Sequence, residues 1–143
     1  MRKGMTLIVK TIARLLFPFM FLLGIYITLH GHLTPGGGFP GGVIIGASVL
    51  LLILAYGGER TSEKIPLIHA EISESIGSLI LIGLGLFGAI FGLFFLENIL
   101  PLGELGKIFS GGNLPVLNLG VGIKVAAGFI TILYAMLEIS ESE

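Results

Sequence analysis

Four long apolar segments dominate this chain and limit the folds that are open to it. They lie at about residues 5–29, 39–56, 75–96 and 115–137. Each is close to the roughly 20 residues that a helix needs to cross the hydrocarbon core of a membrane. Uniformly apolar runs of this length favour helices over barrel strands, because a helix satisfies its own backbone hydrogen bonds within lipid. The sequence therefore predicts an all-α membrane protein whose 143 residues form one domain of four transmembrane helices.

The composition agrees with a membrane protein and excludes several classes of function. Hydrophobic residues make up 54% of the chain and charged residues only 12%, whereas a soluble domain carries about 25% charged residues. The chain has no cysteine, which excludes thiolate chemistry and cysteine-bound iron–sulfur clusters. The basic residues form no patch, so nucleic acid is not an expected partner. We expect the lipid bilayer as the surroundings and no cofactor.

The distribution of positive charge predicts the orientation. An even number of spans puts both termini on one side of the membrane. Cations occur before or within the start of the first segment and in the link after the second, whereas the other side has only Lys107. Those on the first side are Arg2, Lys3, Lys10, Arg14, Arg60 and Lys64. The positive-inside rule then predicts cytoplasmic termini and a multi-pass protein of the cytoplasmic membrane.

A lysine lies in the middle of the last apolar segment. Between Pro115 and Leu137 the only charge is Lys124, about 14 Å and 21 Å from the two ends of the segment. A charge at this depth costs about 3 kcal/mol or more, so an intramembrane ionisable residue suggests a function. On a helix its neighbours include Gly120 and Gly128, which let another helix approach closely. Lys124 is either a charge lining a polar path or a structural lysine paired with a carboxylate. No carboxylate is expected at its depth in this chain, so we expect any ionic partner on another subunit.

Two glutamates stand at the predicted start of the third span. Glu74 shares one helical stripe with Ser78 and with the small-residue pair Gly88 and Gly92, while Glu71 lies one turn earlier. Both are candidates for a carboxylate at the entrance of an ion path. The alternative is a solvated charge that the helix dipole favours at a helix start.

The link between the first two spans is the most distinctive string. Residues 30–42 read HGHLTPGGGFPGG, and three consecutive glycines permit unusual dihedral angles. It is either a tight turn between helices or a protein-buried turn that shapes a polar cavity. His32 is a candidate for the ion path, since histidine titrates near neutral pH. His30 and His32 without further ligands do not predict a metal site.

Two strings resemble the signature segments of the MnhB family, which are small membrane subunits of Mrp-type sodium/proton antiporters. They are GHLTPGGGFPGG at residues 31–42 and FSGGNLPVLNLGVGIKVAAG at residues 109–128, and the resemblance runs from about Thr6 to Glu138. They contain Lys124 and the glycines that we take as the structural motif. These glycines are Gly36, Gly37, Gly38, Gly41, Gly42, Gly111, Gly112, Gly120 and Gly128.

The resemblance implies a small, non-catalytic subunit of a hetero-oligomeric Na+/H+ antiporter module that helps to form the ion path. Its partners would be the other membrane subunits of that module. Related modules serve as the pumping arm of redox-driven complexes of the membrane-bound hydrogenase or sulfur reductase type. In that context a hydrogenase-like peripheral arm would be a further partner, and the host complex would be an oxidoreductase.

Two further hypotheses remain open from the sequence. One is a purely structural assembly subunit, which the 23 glycines would also suit. The other is a stand-alone four-helix exporter, a class that needs an acidic residue embedded in the membrane. The predicted spans contain no such residue.

Overall fold

The computed structural model describes residues 5–104, 106–108 and 110–142, with side chains as far as Ile139. All regular elements among these residues are helices. They are α1 (Leu7–Leu29), α2 (Gly38–Tyr56), α3 (Gly58–Lys64), α4 (Leu67–Ile90) and α5 (Leu114–Ser142). Four of them, all except α3, are long and apolar enough to cross a membrane. The prediction of an all-α protein with four candidate spans is confirmed.

The third span differs most from its predicted bounds. The sequence predicts it at about residues 75–96, but α4 begins at Leu67 and ends at Ile90. The N-terminal extension follows from Pro66, which precedes the first helical residue and has an extended conformation. At the other end Gly92 has a φ of 75°, a left-handed conformation that ends helices. The expected pairing of Gly88 with Gly92 on one helical face is therefore wrong, because Gly92 lies outside α4.

The spans form an open row in the order α1, α2, α5, α4. Extensive packing joins α1 to α2, α2 to α5 and α5 to α4. Within the described residues α1 and α4 have no comparable contact, so they are the two outermost helices of the row. Such an arrangement leaves both faces of the row open to lipid or to other proteins. Many large apolar side chains accordingly remain exposed, among them Leu22, Leu79, Ile82 and Met136.

Glycines allow α2 to approach its two neighbours closely. A Cβ atom on Gly42 would lie 2.7 Å from the carbonyl oxygen of Gly122 on α5. At the contact between α1 and α2, a Cβ atom on Gly24 of α1 would lie 2.9 Å from the carbonyl oxygen of Gly41 on α2. Real Cβ atoms do not approach backbone atoms so closely, so these glycines bring the helices together.

A buried apolar cluster lies near the ends of the spans that adjoin α3. Its members are Val49, Ile53, Ala70, Ile130 and Tyr134. Tyr134 donates a hydrogen bond of 3.0 Å from its hydroxyl to the carbonyl of Ile65, between α3 and α4. Tyr56 likewise donates to the carbonyl of Lys10, at 3.2 Å. These two bonds tie the ends of α5 and α2 to the neighbouring chain segments.

Candidate functional site

Lys124 lies on the side of α5 that meets α4. A Cβ atom on Gly77 of α4 would lie 2.8 Å from the backbone nitrogen of Lys124, so the two helices are in close contact at this point. Gly120, one turn before the lysine, packs against Ile80 and Leu81. The side chain extends along this contact, and its Nζ donates a 2.8 Å hydrogen bond to the Oγ of Ser78. The lysine side chain is nevertheless exposed on the outer surface of the row.

Glu74 lies inside the α4 span, which corrects the expectation of a helix-start charge. Because α4 begins at Leu67, Glu74 is seven residues, or about 10 Å, into the helix. Its carboxylate lies near α5, since a Cβ atom on Gly128 would be 3.8 Å from Glu74 Oε1. Gly128 is one turn from Lys124. This carboxylate therefore lies about 6 Å from the level of Lys124 along α5, closer than the predicted start of the third span implied.

Ser78 bonds to the side chain of Lys124 and to the backbone of Glu74. Its Oγ accepts the bond from Lys124 and donates one of 3.0 Å to the carbonyl oxygen of Glu74. Lys124 and Glu74 form no ion pair, because the one pair within the described residues joins Lys107 and Glu104. Glu71 is exposed three residues before Glu74 and thus close to the same face of α4. We call Glu71, Glu74, Ser78 and Lys124 the polar track.

The sequence placed Ser78 on the stripe of Glu74 but assigned it no role. A hydroxyl inside an apolar span usually bonds to the carbonyl four residues earlier, and this one does. Only the packing of α4 on α5 shows that the same oxygen also accepts a hydrogen bond from Lys124.

His32 lies away from the polar track, at the opposite end of the row. It follows α1, and its Nε2 lies 3.4 Å from the carbonyl oxygen of Lys107 in the link between α4 and α5. Its Nδ1 is buried and has no hydrogen-bond partner among the described residues. His30 stacks on Tyr26 with 4.1 Å between the ring centroids. The described residues contain no group of three or more histidine or acidic side chains that could hold a metal ion.

The glycine-rich string forms the turn between α1 and α2. Gly36 and Gly37 have φ values of 147° and 100°, in the region that favours glycine. The amide of Gly38 then donates a long bond of 3.5 Å to Asn118 Oδ1 on α5. Neither of the two cavities described below includes these glycines in its lining. The geometry fits a tight turn packed on α5.

The second glycine motif holds the long link before α5. Gly111 and Gly112 have φ values of 90° and 62°. The next residue, Asn113, is 4% exposed, and its Oδ1 accepts from the amides of Ile99 and Leu100 at 3.4 Å and 3.3 Å. Its Nδ2 donates to the carbonyl of Glu97 at 2.9 Å. Asn113 therefore holds residues 97–100 of the link next to the start of α5.

A groove lies on the other face of the row. Its cavity of about 350 Å³ is lined by α1, α2, α5 and the start of α4. The α5 residues facing it include Ile123, Ala126 and Ile130. Lys124 directly follows Ile123 and is therefore turned about 100° around the helix. The polar track and the groove thus occupy different faces.

Comparison with known proteins decides the family. Residues 8–131 match a domain described as related to the MnhB subunit of Na+/H+ antiporter. The chain belongs to the MnhB family. This confirms the family that the two glycine-containing strings indicated.

Several relatives of this MnhB-family chain are known. A Staphylococcus aureus protein named antiporter subunit mnhB2 is 30% identical over 132 residues, which cover 90% of this chain and 92% of that protein. A Methanocaldococcus jannaschii protein designated MJ1307 is 35% identical over 134 residues. That alignment covers 88% of this chain but 50% of MJ1307, so this chain spans about half the length of that relative.

Two solved structures share the fold. A chain of the archaeal membrane-bound sulfane sulfur reductase, a respiratory membrane complex, superposes with a TM-score of 0.81 at 38% identity. The match covers 95% of this chain and 60% of that one. A chain of the Mrp complex from Dietzia sp. superposes with a TM-score of 0.72 at 24% identity, covering 91% of this chain and 14% of the other. Both neighbours are chains of larger complexes.

Proposed function

We propose that this chain is a non-catalytic membrane subunit of a hetero-oligomeric Na+/H+ antiporter module in the cell membrane. The polar track is the part of the chain that contributes to the ion path. The MnhB match and the antiporter relatives support the module, and the neighbours in multi-subunit membrane complexes support partner subunits.

The observation that carries the proposal is an exposed lysine at mid-span. Lys124 lies ten residues, or about 15 Å along α5, from Tyr134 at the end of the row. An ammonium group facing lipid at that depth costs about 3 kcal/mol or more. The open row cannot enclose this side chain, so a partner subunit or a water-filled path must cover it.

The chemistry of the polar track suits control of a cation route. Carboxylates such as those of Glu71 and Glu74 attract cations and commonly line cation pathways. The ammonium of Lys124 repels cations while it is charged and ceases to do so when it is neutral or paired. Ser78 holds that ammonium against α4, one turn along the helix from Glu74. Pairing of Lys124 with an anionic group would thus change the electrostatic barrier at this depth.

The second candidate is the same module acting as the ion-pumping arm of a redox-driven complex. The observation that favours it is the match to the sulfane sulfur reductase, at 38% identity over 95% of this chain. In that setting a peripheral electron-transfer arm would be a further partner. Purification of the chain from its native membrane, followed by mass spectrometry of its companions, separates the two. Iron–sulfur or hydrogenase-like subunits support the redox complex, and antiporter-like subunits alone support the dedicated antiporter.

The test of the ion-path role uses Lys124→Ala in the assembled complex. Without this charge the route cannot be closed between transport steps, so coupled Na+/H+ exchange in vesicles should fall by about ten-fold, a rate change equivalent to about 1.4 kcal/mol. Lys107→Ala, in an exposed link, is the matched control and should leave exchange unchanged. Normal exchange by an assembled Lys124→Ala complex would overturn the role. A low yield of complex with normal exchange would instead identify a purely structural role for the chain.

A further inference from the structure

A second cavity, distinct from the polar track, gathers positive charge at the α3 end of the row. It has a volume of about 440 Å³ and lies between α1, the end of α2, and α3. Its charged lining consists of Arg14 from α1, Arg60 and Lys64 from α3, and one carboxylate, that of Glu63. The other lining residues are Phe17, Leu52, Tyr56, Thr61 and Ile65. We call it the cationic pocket.

The three cations of the pocket are available to a ligand. All three side chains are exposed, and none has a carboxylate oxygen within ion-pairing distance among the described residues. They come from two different helices, so the convergence is a product of the fold. Tyr56 directs its hydroxyl to the carbonyl of Lys10, which keeps the wall of the pocket next to α1 in place.

The cationic pocket continues into the apolar groove. Ile65 lines both cavities. On α1, Phe17 lines the pocket and Phe21 lines the groove, and their rings stack with 5.7 Å between centroids. Together the pocket and the groove follow α1 from Phe17 to Leu29, a path of about 18 Å. One leaflet of a bilayer has a hydrocarbon depth of about 15 Å.

Three polar side chains line the groove, those of Thr28, His69 and Ser73, and the two hydroxyls among them are satisfied within the chain. Thr28 donates its hydroxyl proton to the carbonyl of Gly24 at 2.9 Å, and Ser73 donates to that of His69 at 2.7 Å. The surface left for an occupant is therefore mostly aliphatic and aromatic. A cationic pocket that continues into an apolar channel of about leaflet length is complementary to an amphiphile with an anionic head group.

We propose that the pocket and the groove together bind one anionic phospholipid. Its phosphate lies among Arg14, Arg60 and Lys64, and an acyl chain follows the groove past Ile25. Charge complementarity favours a lipid over a partner helix, since an apolar helix in the groove would leave the adjoining cations without a partner. Basic pockets at the edge of transmembrane helices are known to hold acidic head groups.

The test measures lipid retained by the purified complex after delipidation and exchange into vesicles of phosphatidylglycerol or phosphatidylcholine. Native mass spectrometry counts the bound lipids. The unaltered complex should retain phosphatidylglycerol about ten-fold or more over phosphatidylcholine, because each basic residue adds to the attraction. The triple variant Arg14→Gln, Arg60→Gln, Lys64→Gln should lose this selectivity. The single variant Arg60→Gln should lose part of it, and Lys107→Gln, its matched control, should lose none.

A second pair of variants tests the groove itself. Ile25→Trp fills the channel and should reduce retention of both lipids, whereas Leu22→Trp, an exposed position on α1 outside the groove lining, should not. Equal retention of the two lipids by the unaltered complex would overturn the proposal, as would full selectivity in the triple variant. A cross-link from position 25 to a partner subunit, with no bound lipid, would assign the groove to a protein helix instead. None of these readouts depends on ion exchange, so the antiporter proposal stands or falls separately.

Discussion

At the scale of single residues, the polar track brings together charged and polar side chains from two helices, α4 and α5. The ammonium of Lys124 bonds to the hydroxyl of Ser78, one turn along α4 from Glu74. The carboxylate of Glu74 lies beside Gly128, one turn along α5 from Lys124. Charges that close, in an apolar setting, should influence one another strongly because the surroundings screen them weakly. Lys124 and Glu74 should therefore act as one unit.

A double-mutant cycle tests this coupling. We expect Glu74→Gln to lower exchange, and we expect the double variant with Lys124→Ala to depart from additivity by about 0.5 kcal/mol or more. The measurement is the rate of Na+/H+ exchange in vesicles at matched complex content. Glu104→Gln, in the exposed link, should combine additively with Lys124→Ala. An additive result for Glu74 and Lys124 would contradict the coupling.

Asn113 is a second residue whose contacts allow a prediction. Asn113→Ala would leave two amides and one carbonyl of the link without their partner. Each unsatisfied buried group costs about 1 to 3 kcal/mol, so we expect a clear loss of thermal stability and faster proteolysis of the link. Thr34→Ala removes only a local bond at an exposed position and should change neither. Unchanged stability of Asn113→Ala would show that these hydrogen bonds contribute little to the stability of the fold.

At the scale of elements, glycine decides how closely the helices approach. Gly77 and Gly83 both lie in α4, but their surroundings differ. A Cβ atom on Gly77 would meet backbone atoms of α5 at 2.8 Å, whereas one on Gly83 would meet nothing within 4 Å. Backbone atoms cannot move aside as a flexible side chain can. The two glycines therefore form a matched pair.

The matched pair leads to opposite expectations. Gly77→Ala should destabilise the chain by about 1 to 3 kcal/mol, since overpacking forces α4 away from α5. Gly83→Ala should be neutral or stabilise by up to about 1 kcal/mol through helix propensity. Thermal unfolding in detergent provides the comparison. Equal destabilisation by both substitutions would rule out the close α4–α5 contact as the cause.

At the scale of the whole molecule, the row leaves three surfaces with different chemistry. One face carries the polar track, the other carries the groove, and the α3 end carries the cationic pocket. A compact bundle would have enclosed some of these groups. An open row instead leaves them accessible, which the proposed role in a hetero-oligomeric membrane complex requires.

Orientation is a property of the whole molecule and is directly testable. The chain has no cysteine, so single cysteines can be introduced without a background. Glu59→Cys, exposed on α3, should react with a membrane-impermeant thiol reagent only from the cytoplasmic side. Thr34→Cys, exposed in the turn between α1 and α2, should react only from the opposite side. The reverse labelling pattern would invert the predicted topology.

Much of the architecture could be predicted from the sequence, because hydropathy is a local property. Whether a segment of about 20 residues prefers lipid depends on its own side chains. The four spans, the isolation of Lys124 within the last of them, and the family signature all follow from residues near one another in the chain. The predicted start of the third span is wrong, because His69, Glu71 and Glu74 lower the hydropathy of residues that are nonetheless helical.

The tertiary structure decided which groups meet. The order of the row, the hydrogen bond from Lys124 to Ser78, and the nearness of Glu74 to Gly128 depend on how α4 and α5 are aligned. That alignment is set by close contacts at Gly77 and Gly120, and hydropathy does not encode it. The joining of the cationic pocket to the apolar groove likewise requires α1, α3 and α5 to be placed together. The sequence alone determined that this is a membrane protein. Packing between its helices determined which polar, cationic and apolar surfaces the protein presents.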